Sequence, residues 1–213
     1  TARREDALKE TAQAVQDAGG EAMTVVADFQ QEAQILVAVN SAASRWGGLD
    51  ILINSAGIGR QAKLTDGDSR DWRDMLQVNV LALAVASREA LAAFDKEVGG
   101  HIVNVCSMSG HRVPGRGGFY AATKFAVRAM TEGLRQELRM DGNPTRVSQI
   151  SPGFVETELL DEYFRSAGKD RYSAADYPIL TPQDVASSVL HVLTAPTHVD
   201  ITDILVRPTE QPT

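Results

Sequence analysis

Apolar and polar positions along this chain keep two different periods, and the period switches many times. Residues 4–18 place apolar side chains three and four apart, open on Glu5 and Asp6, and stop at Gly19-Gly20, a helix pattern with acidic residues in its first turn. Ala22 to Ala27 is a short apolar strand pattern that ends at Asp28, and residues 31–46 return to helix period before Gly47-Gly48. Asp50-Ile51-Leu52-Ile53 predicts a buried strand running into Asn54-Ser55-Ala56-Gly57. After a polar loop over 60–71, one long helix is predicted from about Asp71 to Lys96, with Gly99-Gly100 behind it. His101 to Cys106 is a near-continuous apolar run, as in strands covered on both faces.

Residues 108–117 carry Pro114 and several glycines and predict a loop, followed by a helix near 118–140 and a strand from Thr145 to Ile150 that ends at Ser151-Pro152-Gly153. Residues 156–180 are polar, aromatic and weakly periodic. Thr181-Pro182-Gln183-Asp184 reads as a helix start, with Thr181 as N-cap and Pro182 in the first turn. That helix ends near Thr194, and Ile201 to Val206 is a last strand. Strands alternating with helices build a parallel sheet through right-handed crossovers. The expected fold is therefore α/β, a doubly wound, Rossmann-type three-layer sandwich, in one domain over residues 1–213. In such sheets ligands bind beyond the carboxyl ends of the strands. Asp28, Asn54–Gly57, Ser107 and Ser151–Gly153 stand at four such ends.

Composition narrows the function classes. With 43% hydrophobic and 23% charged residues, and a formal charge of −7, the chain has the balance of a soluble globular protein and a poor one for a nucleic-acid binder. No apolar run approaches membrane-spanning length and no secretory signal is visible, so no membrane partner is expected. The single cysteine, Cys106, fits a reducing compartment and a cytoplasmic location. It reads as a small buried side chain rather than a nucleophile. His101, His111, His191 and His198 lack metal-ligand spacing, and no metal is expected.

The strongest chemical signal is Tyr120-Ala121-Ala122-Thr123-Lys124. On a helix, positions four apart share a face, so Tyr120 and Lys124 can address one spot. A free phenol titrates near ~10, and a neighbouring ammonium favours the phenolate. Ser107 ends the preceding strand and can hydrogen-bond a substrate oxygen while Tyr120 gives or takes the proton. The same residues also fit a plain core stripe, since Tyr120, Lys124, Val127, Thr131, Leu134 and Leu138 recur at helical spacing.

Taken together, five motifs in order resemble the short-chain dehydrogenase/reductase family: Asn54-Ser55-Ala56-Gly57, Asn79-Val80, Cys106-Ser107-Met108-Ser109-Gly110, Tyr120-Ala121-Ala122-Thr123-Lys124 and Ser151-Pro152-Gly153-Phe154-Val155-Glu156-Thr157. The run from Cys106 to Arg112 and the tail from Ile204 to Gln211 resemble one branch of that family, with bacterial relatives. The resemblance implies an oxidoreductase, a carbonyl reductase or alcohol dehydrogenase, moving hydride between NADP(H) and a ketone or secondary alcohol. It implies Tyr120 as general acid or base, Ser107 as holder of the substrate oxygen, Lys124 on the tyrosine and the nicotinamide ribose, and Asn79 in a water-linked proton relay. It implies cofactor contacts from Asp28, Asn54, Ala56, Gly57, Pro152, Gly153, Val155 and Thr157, and a lid over 156–180 with Tyr163, Phe164, Tyr172 and Tyr177. Asp28 reads equally as a cap before Gln30-Gln31-Glu32.

Cofactor choice turns on Arg3 and Arg4. NAD-preferring members carry an acidic residue at the matching strand end. Two cations near a helix N-terminus oppose its dipole unless an anion, here a 2′-phosphate, sits between them. NADP(H) is expected, with NAD(H) second. The family's T-G-x-x-x-G-x-G phosphate turn does not occur in the 213 residues, which begin at Thr1 rather than Met. Omission of roughly thirty to forty upstream residues, including the first strand and first helix, is the expectation. A chain truly lacking them is expected to be unstable and to bind dinucleotide weakly, which leaves a non-catalytic nucleotide-binding or assembly fragment as the alternative. A nucleotide-sugar epimerase, which shares Y-x-x-x-K, fits the Ser-Pro-Gly segment less well. Ala122, Ala126, Ala129 and Gly133 make a small-residue stripe, and the resemblance implies a homodimer or homotetramer.

Overall fold

A computed structural model describes residues 1–166, 168 and 177–212. Its sheet has four strands, β1 (Ile51–Asn54), β2 (His101–Val105), β3 (Arg146–Pro152) and β4 (Asp203–Val206), all parallel and in that spatial order. Leu52 stands opposite Ile102, Ile102 opposite Val147, and Ile150 opposite Ile204.

Seven α-helices accompany the described strands. The first, α1 (Glu5–Asp17), carries its acidic pair in the first turn, and α2 (Glu32–Trp46) ends on Gly47 in the left-handed conformation, φ 77°, that a residue with a Cβ rarely adopts. The predicted long helix is real but not uniform. Asp68 caps it by accepting from the Arg70 N–H, one turn earlier than the sequence placed its start. It runs as α3 (Ser69–Leu76), widens into a π-helical turn over Gln77–Leu81, and continues as α4 (Ala82–Ala93). The remaining helices are α5 (Gly118–Met140), α6 (Glu158–Arg165) and α7 (Pro182–Leu193). Thr181 and Asp184 close a reciprocal capping box at the start of α7, as their spacing predicted.

Side-chain alternation on the strands divides the core. On one face Ile102 and Val147 pack with Ala90, Phe94 and Leu138 from α4 and α5, and Ile35 and Val39 of α2 close against Val85 and Ala86. On the other face Val103 and Ile150 meet Val189 and Val192 of α7. The sandwich is therefore filled over β2 to β4.

Three expectations are corrected. The segment Ala22 to Ala27 is no strand of the sheet: it makes a single parallel bridge, Val26 to Ala2, because only Thr1–Arg3 lies beside it. Ile51 and Ile53 are 47% and 46% exposed rather than buried, since α7 covers β2 to β4 and no described element covers that face of β1. Finally, the continuous rod Ser69–Ala93 is long and apolar enough, by length and composition, to cross a membrane. Met75, Val78, Ala82, Val85, Ala86 and Ala90 along it are buried inside the fold, while Leu76 and Leu81 are exposed.

His101 makes the fold sensitive to acid. Its ring is 4% exposed, Nε2 lies 2.8 Å from Ser148 Oγ, and Nδ1 has no partner among the described residues. Burial, with a smaller push from Arg146, lowers its pKa from 6.5 to about 4. A depressed value means that the neutral ring stabilises the fold above pH 6.5, and that this contribution drains away as pH falls towards 4. Urea titrations should show that this residue costs about 2 kcal/mol between pH 7 and pH 4.5. His101→Gln should flatten the slope, and an identical slope in both proteins would refute the assignment.

Candidate active site

Tyr120 sits in the first turn of α5, and Lys124 follows one turn later on the same face; both are buried, at 7% and 5% exposed. Ser107 ends β2 in extended backbone, φ −173°, and begins a short 3-10 turn, Met108–Gly110, whose Ser109 N–H donates to the Ser107 hydroxyl. That turn brings the hydroxyl up to Tyr120. The sequence prediction of a Ser–Tyr–Lys cluster is thus met in space.

The electrostatics differ from the expected picture. In the protein alone, burial pushes the Tyr120 phenol well above its ordinary 10, and the Ser107 hydrogen bond only partly opposes this. Lys124 does not draw it down. Its Nζ donates to the Val105 carbonyl at 3.1 Å and lies 5.9 Å from the Tyr120 ring centroid, while burial lowers its own pKa. Two buried groups each lean to their neutral form. Cys106 is a structural neighbour: Sγ is 3.3 Å from the Lys124 carbonyl, and burial raises its pKa.

Asn79 lies in the middle of the π turn, a feature found often at functional sites. Its side chain is fully engaged. Oδ1 accepts from the Ile58 N–H at 2.9 Å, while Nδ2 donates to the Ile58 carbonyl at 2.9 Å and to Thr123 Oγ1 at 3.1 Å. Asn79 therefore fastens the loop after β1 to α5. Asn54 does similar work one layer below, donating from Nδ2 to Asn104 Oδ1 and Ser87 Oγ.

A cleft of about 1080 Å³ runs along β1 and α2 and past the strand's end, where Arg3, Asp28, Asn54, Ala56 and Gly57 face it. Five predicted cofactor residues from three separate segments thus converge. The volume suits a ligand larger than most drug-sized molecules. Asp28 accepts from the Gln30 N–H in a local turn, but it does not cap α2, whose N-cap is Gln31 without a side-chain bond. Arg3 pairs with no carboxylate among the described residues, whereas Arg4 reaches across to Glu158 at 2.7 Å, at the first residue of α6. Gly57 joins the cleft to the buried cluster: a Cβ there would lie 3.5 Å from Asn79 Oδ1 and 3.8 Å from Lys124 Nζ. Pro152, the last residue of β3, and Gly153, Val155 and Thr157 on the loop that follows are off the cleft wall; Thr157 caps α6 and Val155 bridges to Leu180.

A roof closes the tyrosine. The Tyr163 ring lies 5.5 Å from that of Tyr120, and a Cβ at Gly59 would sit 3.1 to 3.5 Å from Leu159, Tyr163 and Tyr120. Tyr163 is itself driven up to about 12 by burial and by Tyr120. Trp72 stacked on Phe119 at 5.2 Å, with Ala62 and Met75, completes an apolar wall. The expected lid thus contributes a helix with Tyr163 and Phe164, while Tyr172 lies outside the described residues. Among the described residues, no three His, Cys, Asp or Glu side chains converge as a metal site would require.

The sequence matches the short chain dehydrogenase family over residues 1–167. The chain belongs to the short-chain dehydrogenase/reductase family. It is 46% identical over 194 residues to dehydrogenase/reductase SDR family member 11 of Bos taurus, covering 87% of this chain and 75% of that protein. An uncharacterized oxidoreductase of Staphylococcus aureus is 35% identical over 207 residues, covering 97% of this chain and 84% of its own length. Among solved structures, a closed form of serine dehydrogenase complexed with NADP+ superposes with a TM-score of 0.88 at 30% identity, over 100% of this chain and 85% of that one. A short chain dehydrogenase of Burkholderia cenocepacia in complex with NADP gives 0.80 at 28% identity, over 97% and 83%. Membership makes the protein an oxidoreductase of Rossmann-type fold, and the motif resemblance of the sequence is thereby confirmed.

Proposed function

We propose that this protein is an NADP(H)-dependent oxidoreductase that interconverts a ketone and a secondary alcohol. The observation that carries the proposal is the burial of Tyr120 and Lys124 on one face of α5, with Ser107 presented beside them by the turn after β2. The bound cofactor supplies or receives the hydride; this chain handles the proton. In carbonyl reduction, the Ser107 hydroxyl holds the carbonyl oxygen, and the Tyr120 hydroxyl donates its proton as that oxygen gains charge. In alcohol oxidation the phenolate takes the proton back. Lys124, turned from Val105 towards the site, stabilises that phenolate and reaches the ribose hydroxyls. Asn79 keeps the Gly57-Ile58 backbone from closing on the lysine. Tyr163, Leu159 and Trp72 favour a bulky apolar ketone, such as an aryl or polycyclic one, over a small hydroxy acid.

NADP(H) is preferred over NAD(H) because Arg3 faces the cleft without a carboxylate partner, and because the two relatives above were solved with NADP. Parallel fluorescence titrations with NADPH and NADH test this. Affinity at least about tenfold higher for NADPH is expected, the work of one charge-assisted contact; equal affinities would remove the assignment.

The protein is further proposed to self-associate through the outer faces of α4 and α5. Leu81 and Phe125 are 45% and 39% exposed there, beside the exposed small residues Ala122 and Ala129. Light scattering at micromolar concentration should give a dimer or tetramer mass, and a monomer mass would sink the idea.

A further inference from the structure

Two segments that the sequence set apart, residues 106–112 and the tail through Gln211, meet in the fold. Arg112 Nη2 donates to the Pro212 carbonyl at 2.8 Å. His111 Nε2 is 3.0 Å from Ser151 Oγ and 3.3 Å from Asp203 Oδ2 at the root of the tail. Beyond β4 the chain turns back, with the Gln211 N–H donating to the Pro208 carbonyl, and this brings the Gln211 side chain to 6% exposure. There its Oε1 accepts from the Phe154 N–H at 2.9 Å. The approach is so close that a Cβ on Gly153 would fall 2.3 Å from Gln211 Oε1 and 2.9 Å from Arg207 Cβ. Gly153 N–H donates to Val206 from the same side, while the Phe154 carbonyl accepts from Leu180 on the other.

We propose that Gln211 is a positioning residue: it clamps the Gly153–Val155 backbone, the segment that the family resemblance sets against the nicotinamide end of the cofactor. The proposal rests on the cofactor reading above. A buried amide oxygen fixed on one backbone N–H sets the loop's distance from the cleft, and the bare Gly153 is what admits it. The clamp lies apart from Arg3 and Asp28, which line the cleft while Gly153 to Val155 do not.

The test uses the full-length protein, its Gln211→Ala and Gln211→Met variants, which remove the acceptor, and Gln211→Glu, which keeps one. Two probes are titrated: NADPH, and 2′-phospho-ADP-ribose, which lacks nicotinamide. Loss of one hydrogen bond predicts NADPH binding weaker by about five- to tenfold in the first two variants. The truncated ligand should bind unchanged, and Gln211→Glu should restore NADPH affinity. Hydrogen exchange at the Phe154 amide should quicken in the same two variants alone. Equal weakening of both ligands, or no change in either, overturns the proposal. If the wild-type protein binds neither ligand, the cofactor reading fails and the nicotinamide role falls with it; Phe154 exchange still decides whether the clamp exists.

Discussion

Tyr120→Phe is expected to lower kcat by about two to four orders of magnitude, the range for removing a general acid, while leaving the dissociation constant for NADPH within about threefold. The split follows from where the hydroxyl stands. It is buried under Tyr163 rather than exposed on the cleft wall, so its loss removes a proton donor and leaves the dinucleotide surface alone. Phenylalanine keeps the ring that packs with Met75 and Ala62. Stability should therefore hold within about 1 kcal/mol. Parallel losses of binding and turnover would mean that the variant disturbs the fold rather than the chemistry.

The second large effect is Lys124→Met. Lysine at this position is buried at a cost: its ammonium is withdrawn from water, and its one hydrogen bond is to Val105. Among the described residues no carboxylate pairs with it, and burial lowers its pKa. Methionine has nearly the same volume and no charge to desolvate, so the melting temperature should stay level or rise by a few degrees. Turnover should nonetheless fall by about 10² to 10⁴, because Tyr120 is held far above its ordinary pKa and loses the one nearby cation that can favour its phenolate. A protein that gains stability as it loses activity is the signature of a functional residue kept at structural expense. If Lys124→Met melts well below the parent, the lysine is a structural member of α5 and its catalytic assignment fails.

What could be read from the sequence was what depends on neighbours along the chain. Tyr120 and Lys124 share a face because four residues make about one helical turn, and Thr181 with Asp184 form a capping box because three residues separate them. The π turn at Asn79 was not legible. It is accompanied by hydrogen bonds to Ile58 and Thr123, one twenty-one residues before and the other forty-four after, and no local pattern announces either. The same reason hid the Arg4–Glu158 pair and the clamp from Gln211 to Phe154, which join residues 154 and 57 positions apart. Apolar pattern also overstated two strands. Ala22 to Ala27 and Ile51 to Ile53 carry strand-like side chains, but burial depends on what packs beside them, and apolar content alone does not reveal that. The expected lowering of the tyrosine pKa failed in the protein alone for a similar cause. Spacing brings Lys124 to the right face, but burial decides the balance of charge.

The account is tested most directly by following the hydride itself. NADPH carrying deuterium on C4 is incubated with the wild-type protein and an aryl ketone, and the product is examined by mass spectrometry. The account predicts a secondary alcohol with one deuterium on the carbinol carbon, formed in step with NADP+, and almost none with Tyr120→Phe. NADPH that binds and yields no labelled alcohol across a panel of ketones would contradict it. So would labelled product that forms as fast in Tyr120→Phe as in the wild type.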